Sequence, residues 1–205
     1  MGSADTVIAA VAAGLSGVAA VASWRSSAQA NATAEAVARI ERDRWHLDLT
    51  PQLRLKLEPQ GGMLYVRFEG PASLGRITVQ LTVRDDRDRV RDPVLAGGPT
   101  AEERAEVVWG PYRFRPGVDG ADQLGRSVTL FTLEADDRTR LAVDESLRPR
   151  WYEGTGGEEQ WRQQNRTKRM RLWADYTAAG HKPWKLSFEV PQDGIWARTG
   201  QPVGT

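Results

Sequence analysis

The spacing of hydrophobic positions changes near residue 50. From Thr6 to Trp24 the chain is apolar and uncharged, and from Ser26 to Arg44 it is rich in Ala, Glu, Gln and Arg, which favour helix. From Pro51 onward, apolar and polar side chains alternate with period two, as in half-buried strands. The pattern therefore predicts a mainly β protein, in which a long N-terminal helix precedes a β-domain.

Alternating runs predict the strands of this domain. Leu53–Leu57 and Leu64–Phe68 flank a Gln60-Gly61-Gly62 turn, which predicts a hairpin. The clearest run is Ile77–Val83, where Ile, Val, Leu and Val share one face. The remaining runs are residues 128–133, interpreted as a strand covered on both faces, 170–176 and 184–190.

Short helices are predicted between the strands. Thr100 is a suitable N-cap for a helix over residues 100–108, because acidic residues fill its first turn. A helical turn is predicted over Glu158–Asn165, after a Gly-Gly pair. Short strands without a βαβ rhythm favour an antiparallel β-sandwich, with a partly open barrel as the alternative. The predicted domains are the N-terminal helix (1–48), the sandwich-like domain (49–191) and a loose C-terminal tail (192–205).

Membrane insertion is the favoured interpretation of the apolar run Thr6–Trp24. Its nineteen residues would span about 28 Å as a helix, close to the ~30 Å hydrocarbon core. Ala28-Gln29-Ala30 resembles a signal-peptide cleavage site, but the first six residues contain an acid and no Lys or Arg. A soluble Ala-rich helix buried in an oligomer is the third alternative.

Charge predicts the orientation of this span. Arg25, Arg39, Arg42 and Arg44 follow the apolar run, and no Lys or Arg precedes it. The positive-inside rule then places the β-domain in the cytoplasm, with one pass through the cell membrane. Small residues at four-residue spacing in the run, as at Ala9 to Gly17, would permit close helix packing and a homo-oligomer.

Composition excludes several kinds of chemistry. The chain has no Cys, two His and a net charge of +1. Disulfides, thiolate metal sites and Cys nucleophiles are therefore excluded, and nucleic-acid binding, which needs a basic balance, is not expected. Phosphate-binding loops, nucleophile elbows and calcium-binding loops are also missing from the sequence. We therefore expect no enzyme activity, and no catalytic, cofactor-binding or metal-binding residue is predicted.

Three surface features could still carry function. Acidic turns at Asp85-Asp86, Asp119/Asp122 and Asp136-Asp137 could hold Ca²⁺, but interleaved arginines favour ordinary solvated turns. Six of the eight tryptophans lie in the β-domain. They would suit a sugar-binding platform if they shared a flat face, although aromatic side chains more often fill cores.

Two basic runs are the third feature. Residues 148–151 contain two arginines. Residues 162–171 contain four arginines and one lysine, and at the end of this run the basic residues alternate with Met170 and Leu172. The second run is interpreted as the solvent face of a strand. Beneath a membrane, the same charges could contact anionic head groups.

Segments such as RWHLDLTPQL, LAGGPT and WGPYRFRPGVDGAD resemble uncharacterised proteins of high-GC Gram-positive bacteria that join an N-terminal helix to a small β-domain. The resemblance covers about Arg42 to Phe188. Its shared motifs concern packing and turns, so it implies no activity and no functional residue. The favoured function is a membrane-tethered, non-enzymatic module that faces the cytoplasm and binds an unidentified protein. The alternative is an extracytoplasmic carbohydrate-binding sandwich, anchored by an uncleaved signal helix.

Overall fold

The computed structural model describes residues 24, 27, 29–84, 98–152 and 156–198. The chain forms two compact units, Met1–Asp48 and Leu49–Thr205. In the first unit, helix α1 covers residues 29–48, which overlap the segment Ser26–Arg44 that the composition predicts as helix. No helix among the described residues is long and apolar enough to cross a bilayer. The apolar run Thr6–Trp24 lies outside the described residues, except for Trp24 itself.

The second unit is built on two antiparallel sheets, so the prediction of a mainly β, sandwich-like domain is confirmed. The five-stranded sheet, called the first sheet, has the order β4-β6-β2-β1-β9, and the four-stranded second sheet has the order β5-β3-β7-β8. The strands are β1 (Gln52–Glu58), β2 (Met63–Gly70), β3 (Arg76–Val83), β4 (Tyr112–Phe114), β5 (Phe131–Glu134), β6 (Arg138–Glu145), β7 (Met170–Ala178), β8 (Trp184–Val190) and β9 (Ala197–Arg198).

The predicted hairpin is formed by β1 and β2. Their register pairs Glu58 with Met63 across a 3-10 turn at Pro59–Gly61. Gly62 closes the turn with a φ of 59°, a left-handed conformation that glycine adopts without steric cost. The turn therefore sets the register, and that register directs Leu53, Leu55 and Leu57 inward.

The core lies between the two sheets. In β3, Ile77, Val79 and Leu81 are fully buried and Val83 is nearly so, so the predicted face of this strand is confirmed. Their neighbours across β7 and β8 follow the same alternation. Every second residue of these strands leaves water, and this burial offsets the entropy of ordering the chain. The largest fully buried side chains include Phe68, Phe114, Tyr176 and Phe188.

Two helices join the strands. Helix α2 (Ala101–Glu106) begins with a capping box, in which Thr100 Oγ1 accepts from Glu103 N and the Glu103 carboxylate accepts from Thr100 N. Helix α3 (Gly157–Asn165) buries Trp161 and Asn165. Both helices agree with the sequence pattern.

The interpretation of residues 128–133 as a strand covered on both faces is wrong. Strand β5 begins only at Phe131, Val128 makes an isolated bridge to Ala121, and Leu130 is 64% exposed. The run of apolar and β-branched residues has no clear period, so it cannot show which side chains face the core. Strands β4, β6 and β9 lie outside the predicted alternating runs, and β9 lies within the segment predicted as the tail.

Candidate anion-binding site

Four arginines form one row across the outer face of the first sheet. The strand registers pair Arg198 with Arg54, Arg54 with Arg67, and Arg67 with Arg138. The row thus crosses β9, β1, β2 and β6 without interruption. Neighbouring strands lie about 4.8 Å apart, so the row extends over roughly 14 Å.

A second row of positive charge lies beside the first. Lys56 pairs with Tyr65, and Tyr65 pairs with Arg140 on the next strand. The Lys56 ammonium lies 6.0 Å from the centre of the Tyr65 ring, within the range of a cation–π contact. We call the six cations of the two rows the basic face: Arg54, Lys56, Arg67, Arg138, Arg140 and Arg198.

Within the described residues, nearby carboxylates pair with three of the six cations of the basic face. Arg54 Nε lies 2.6 Å from Glu69 Oε2, Lys56 Nζ lies 2.7 Å from Glu58 Oε1, and Arg67 Nη2 lies 3.2 Å from Asp136 Oδ1. The hydrogen bond from Lys56 is the main cause that lowers the pKa of Glu58.

Arg138, Arg140 and Arg198 are exposed, and within the described part of the chain they form no ion pair. The face therefore keeps three uncompensated positive charges.

Such a row is not expected from stability alone. Like charges that lie directly opposite each other on neighbouring strands destabilise a sheet. Here three consecutive cross-strand pairs join arginine to arginine. Glu69 and Asp136 offset this repulsion at Arg54 and Arg67, but no described carboxylate does so at Arg138 or Arg198. A local choice that opposes folding and is only partly compensated points to a functional site. Guanidinium groups donate in a planar fork that matches phosphate and carboxylate oxygens, so the arrangement is suited to an anion-bearing surface.

Exposed apolar side chains adjoin one end of the rows. Ile195 is 61% exposed and Trp196 is 37% exposed, directly before β9. A Cβ placed on Gly194 would lie 3.7 Å from Lys56 Cε, so this turn lies beside the second row. The turn that carries these two exposed apolar residues thus lies next to the basic face.

The outer face of the second sheet is different, because its charges are paired. Asp175 Oδ1 lies 3.4 Å from Lys185 Nζ, Arg76 Nη2 lies 2.6 Å from Glu134 Oε1, and Arg169 Nη1 lies 3.9 Å from Glu189 Oε2. Oppositely charged groups on neighbouring strands are the usual arrangement on a solvated sheet face.

The tryptophans do not form a flat platform. Trp109, Trp151 and Trp161 cluster around α3, with ring centroids 6.2 and 5.8 Å apart. Trp161 is buried and donates from Nε1 to Ser146 O at 3.0 Å. Trp184 belongs to the core. These rings hold α3 and the segment before it against the sandwich, which is the packing role that the sequence favoured.

Trp173 lies on the outer face of the second sheet. It projects from β7, with the Arg84 guanidinium 4.7 Å and the Lys185 ammonium 5.5 Å from its ring centre. Both contacts are within cation–π range. A sugar would have to displace these cations before it could stack on the ring.

A groove of about 280 Å³ lies between α3 and the β4–β6 edge. Its polar groups bond to one another: Tyr112 Oη lies 3.3 Å from Gln192 Oε1, and Gln192 Nε2 donates to Asn165 O and Lys168 O at 3.0 and 2.6 Å. Burial, followed by the charge of Glu145, raises the pKa of Tyr112. These hydrogen bonds connect the end of α3 to the strands. The Tyr112 hydroxyl stays protonated at neutral pH, because its pKa is raised.

The described acidic turns use their carboxylates within the fold. Asp122 accepts from Leu124 N, Arg126 N and Ser127 N at 2.8–3.0 Å. Burial would raise the pKa of Asp122, but these bonds and one from the Ser127 hydroxyl outweigh it and lower the pKa.

Two other acids of these turns also accept from backbone N–H groups. Asp119 accepts from Ala142 N at 2.7 Å, and Asp137 accepts from Glu134 N at 2.9 Å. Among the described residues, no group of three acids or histidines could hold a metal ion. Asp85-Asp86 lies outside the described residues.

Some cations of the two basic runs are paired with acids, while Arg148, Arg166 and Lys168 are exposed and form no ion pair within the described residues. Arg162 pairs with Glu158 at 2.6 Å and with Glu145 at 3.6 Å, and Arg150 lies 4.0 Å from Glu106. The interpretation of residues 162–171 as a strand face holds only from Met170, where β7 begins, because the earlier residues belong to α3 and its exit.

Sequence reasoning missed the basic face. The pairing of Arg54 with Arg67 follows from the predicted hairpin, so half of the row was within reach of the sequence. Arg138 and Arg198 join it through strands distant in the chain, and no local signal reveals those pairings. Comparison of the chain with known protein families, curated proteins and solved structures finds no match.

Proposed function

We propose that this chain is a non-enzymatic interaction module, tethered to a membrane by residues 6–24, whose β-domain binds an anionic partner through the basic face. The observation that carries the proposal is the unbroken four-strand arginine row. Three cations of this face have no carboxylate partner among the described residues. An open, flat row of charge favours the recognition of a surface over the enclosure of a small substrate.

The tether rests on the sequence. The apolar run Thr6–Trp24 has the length of a membrane span, and the arginines after it favour a cytoplasmic β-domain. The anionic partner would then lie in the cytoplasm or on the inner leaflet. The extracytoplasmic sugar-binding alternative depends on an accessible aromatic platform. The cations over Trp173 weigh against that alternative.

Binding to heparin, a soluble polyanion, tests the proposal. The Arg138→Gln/Arg140→Gln/Arg198→Gln variant removes only uncompensated charges, so the fold should tolerate it. A matched control, Arg76→Gln/Arg162→Gln/Arg169→Gln, removes the same net charge from paired positions elsewhere.

We expect the control to bind like the wild type. For the first variant, the slope of log K against log salt should become shallower by about 0.7–0.9 for each arginine removed, as for phosphate contacts in nucleic acids. If both variants lose affinity equally, only net charge matters, and the basic face is not the binding site.

A further inference from the structure

We infer that the partner of the basic face is the anionic head-group layer of a lipid bilayer, into which Ile195 and Trp196 insert. This inference rests on the proposed function and names its partner. The same face could in principle recognise an acidic protein or a nucleic acid. Three observations favour the bilayer.

The first observation is the combination of charge and apolar surface. Arginines supply attraction to phosphate groups, while an exposed Trp and Ile beside them supply a contact for the head-group boundary. Tryptophan is enriched at that boundary because its ring is amphipathic. Each Lys or Arg near an anionic surface contributes about a fivefold gain in binding. The three uncompensated cations together would contribute on the order of 100-fold.

The second observation is the limited extent of the charge. The chain as a whole has a net charge of only +1, and the outer face of the second sheet has paired charges. A nucleic-acid partner would follow a longer basic track and would draw on a basic overall balance. A flat patch of roughly 14 Å on one sheet face is better suited to a planar surface that the protein already approaches.

The third observation is the short connection to the predicted span. Only residues 25–48 separate Trp24 from the β-domain, a stretch that covers roughly 36 Å as a helix. A β-domain tethered by this segment is therefore held close to the bilayer, which raises its effective concentration at the lipid surface. Individually weak contacts from three cations and two apolar side chains are sufficient under that condition.

The chain has no cysteine, so a single Ile195→Cys substitution gives one defined labelling position. The full-length protein, labelled there with an environment-sensitive fluorophore, is reconstituted into vesicles of neutral lipid or of neutral lipid with phosphatidylglycerol. We expect a blue shift and protection from an aqueous quencher only in the anionic vesicles. At about 1 M salt, where the Debye length is about 3 Å, the shift should be lost.

Two controls make the result specific. A label at Leu130→Cys, an equally exposed apolar position near the second sheet, should stay accessible in both kinds of vesicle. Adding Arg138→Gln/Arg140→Gln/Arg198→Gln to Ile195→Cys should abolish the shift in anionic vesicles. A shift that is equal in both lipids, or that survives loss of the arginines, would overturn the inference.

The heparin experiment separates this inference from the proposed function. If heparin binding requires the three arginines but the label at position 195 stays exposed in anionic vesicles, the partner is a soluble acidic macromolecule. The membrane inference then fails while the proposed function stands. If neither probe responds to the three arginines, both are wrong.

Discussion

Replacement of Leu81 by alanine tests the sandwich core most sharply. Leu81 lies at the middle of β3, is fully buried, and pairs with the small residue Ala174 on β7. Because its neighbour is already an alanine, the surrounding side chains have little capacity to fill the space that the leucine leaves. Removal of three carbon atoms therefore loses transfer free energy and creates a cavity.

Substitutions of this kind cost about 2–5 kcal/mol. For a domain of this size, 1 kcal/mol corresponds to roughly 2–4 °C in Tm, so a loss of about 3 kcal/mol lowers Tm by roughly 6–12 °C. The matched control is Gln80→Ala, one residue earlier, on the outer face opposite Asp175. That change should cost no more than about 0.5 kcal/mol.

Urea unfolding of a truncated protein that starts near Arg44 measures both free energies of unfolding. We expect the midpoint of Leu81→Ala to fall while the slope stays unchanged, since the same surface is exposed on unfolding. Equal losses at positions 80 and 81 would refute the assigned faces of β3.

Three other substitutions test separate contacts in the same way. Thr100→Ala removes the capping box of α2 and should cost about 0.5–2 kcal/mol by urea unfolding, whereas an unchanged midpoint would mean that α2 frays already. The fully buried Tyr176 hydroxyl has no hydrogen-bond partner among the described residues, so Tyr176→Phe should leave stability unchanged or raise it by about 1 kcal/mol; a clear loss would reveal a partner. Because the pKa of Asp122 is lowered in the fold, its stabilising contribution is present above the unfolded value of about 3.9 and is lost as pH falls further. The gap in stability between wild type and Asp122→Asn should therefore narrow as pH falls from 7 to below 4, and a constant gap would contradict the role of its charge.

Most of the fold could be predicted where neighbouring strands are also neighbours in sequence. The β1–β2 hairpin and the β7–β8 pair follow from alternation and a short turn between the strands. Strand β6 was missed because Thr139 occupies an inward position and Ala142 an outward one. A polar residue facing inward and an apolar residue facing outward break the alternation of apolar and polar positions by which a strand is recognised. Strand β9 has two residues, too few for any pattern.

The basic face was harder to predict than the core, for a physical reason. Burial selects side chains by hydrophobicity, which each strand displays by itself. A charged row exists only after distant strands have paired in a particular register. In the sheet, a single strand, β2, lies between Arg54 and Arg138, but about half of the domain separates them in sequence. Charge runs along the sequence indicated residues 162–171 instead, where Arg162 and Arg169 lie beside carboxylates.

Mapping the bound anion by NMR tests the central claim most directly. The isotope-labelled β-domain is titrated with heparin, and the arginine side-chain and backbone signals are followed. The account predicts the largest shifts at Arg54, Arg67, Arg138, Arg140 and Arg198, on four adjacent strands of the first sheet. Shifts centred on Trp173 in the second sheet, or on the groove beside α3, would contradict it.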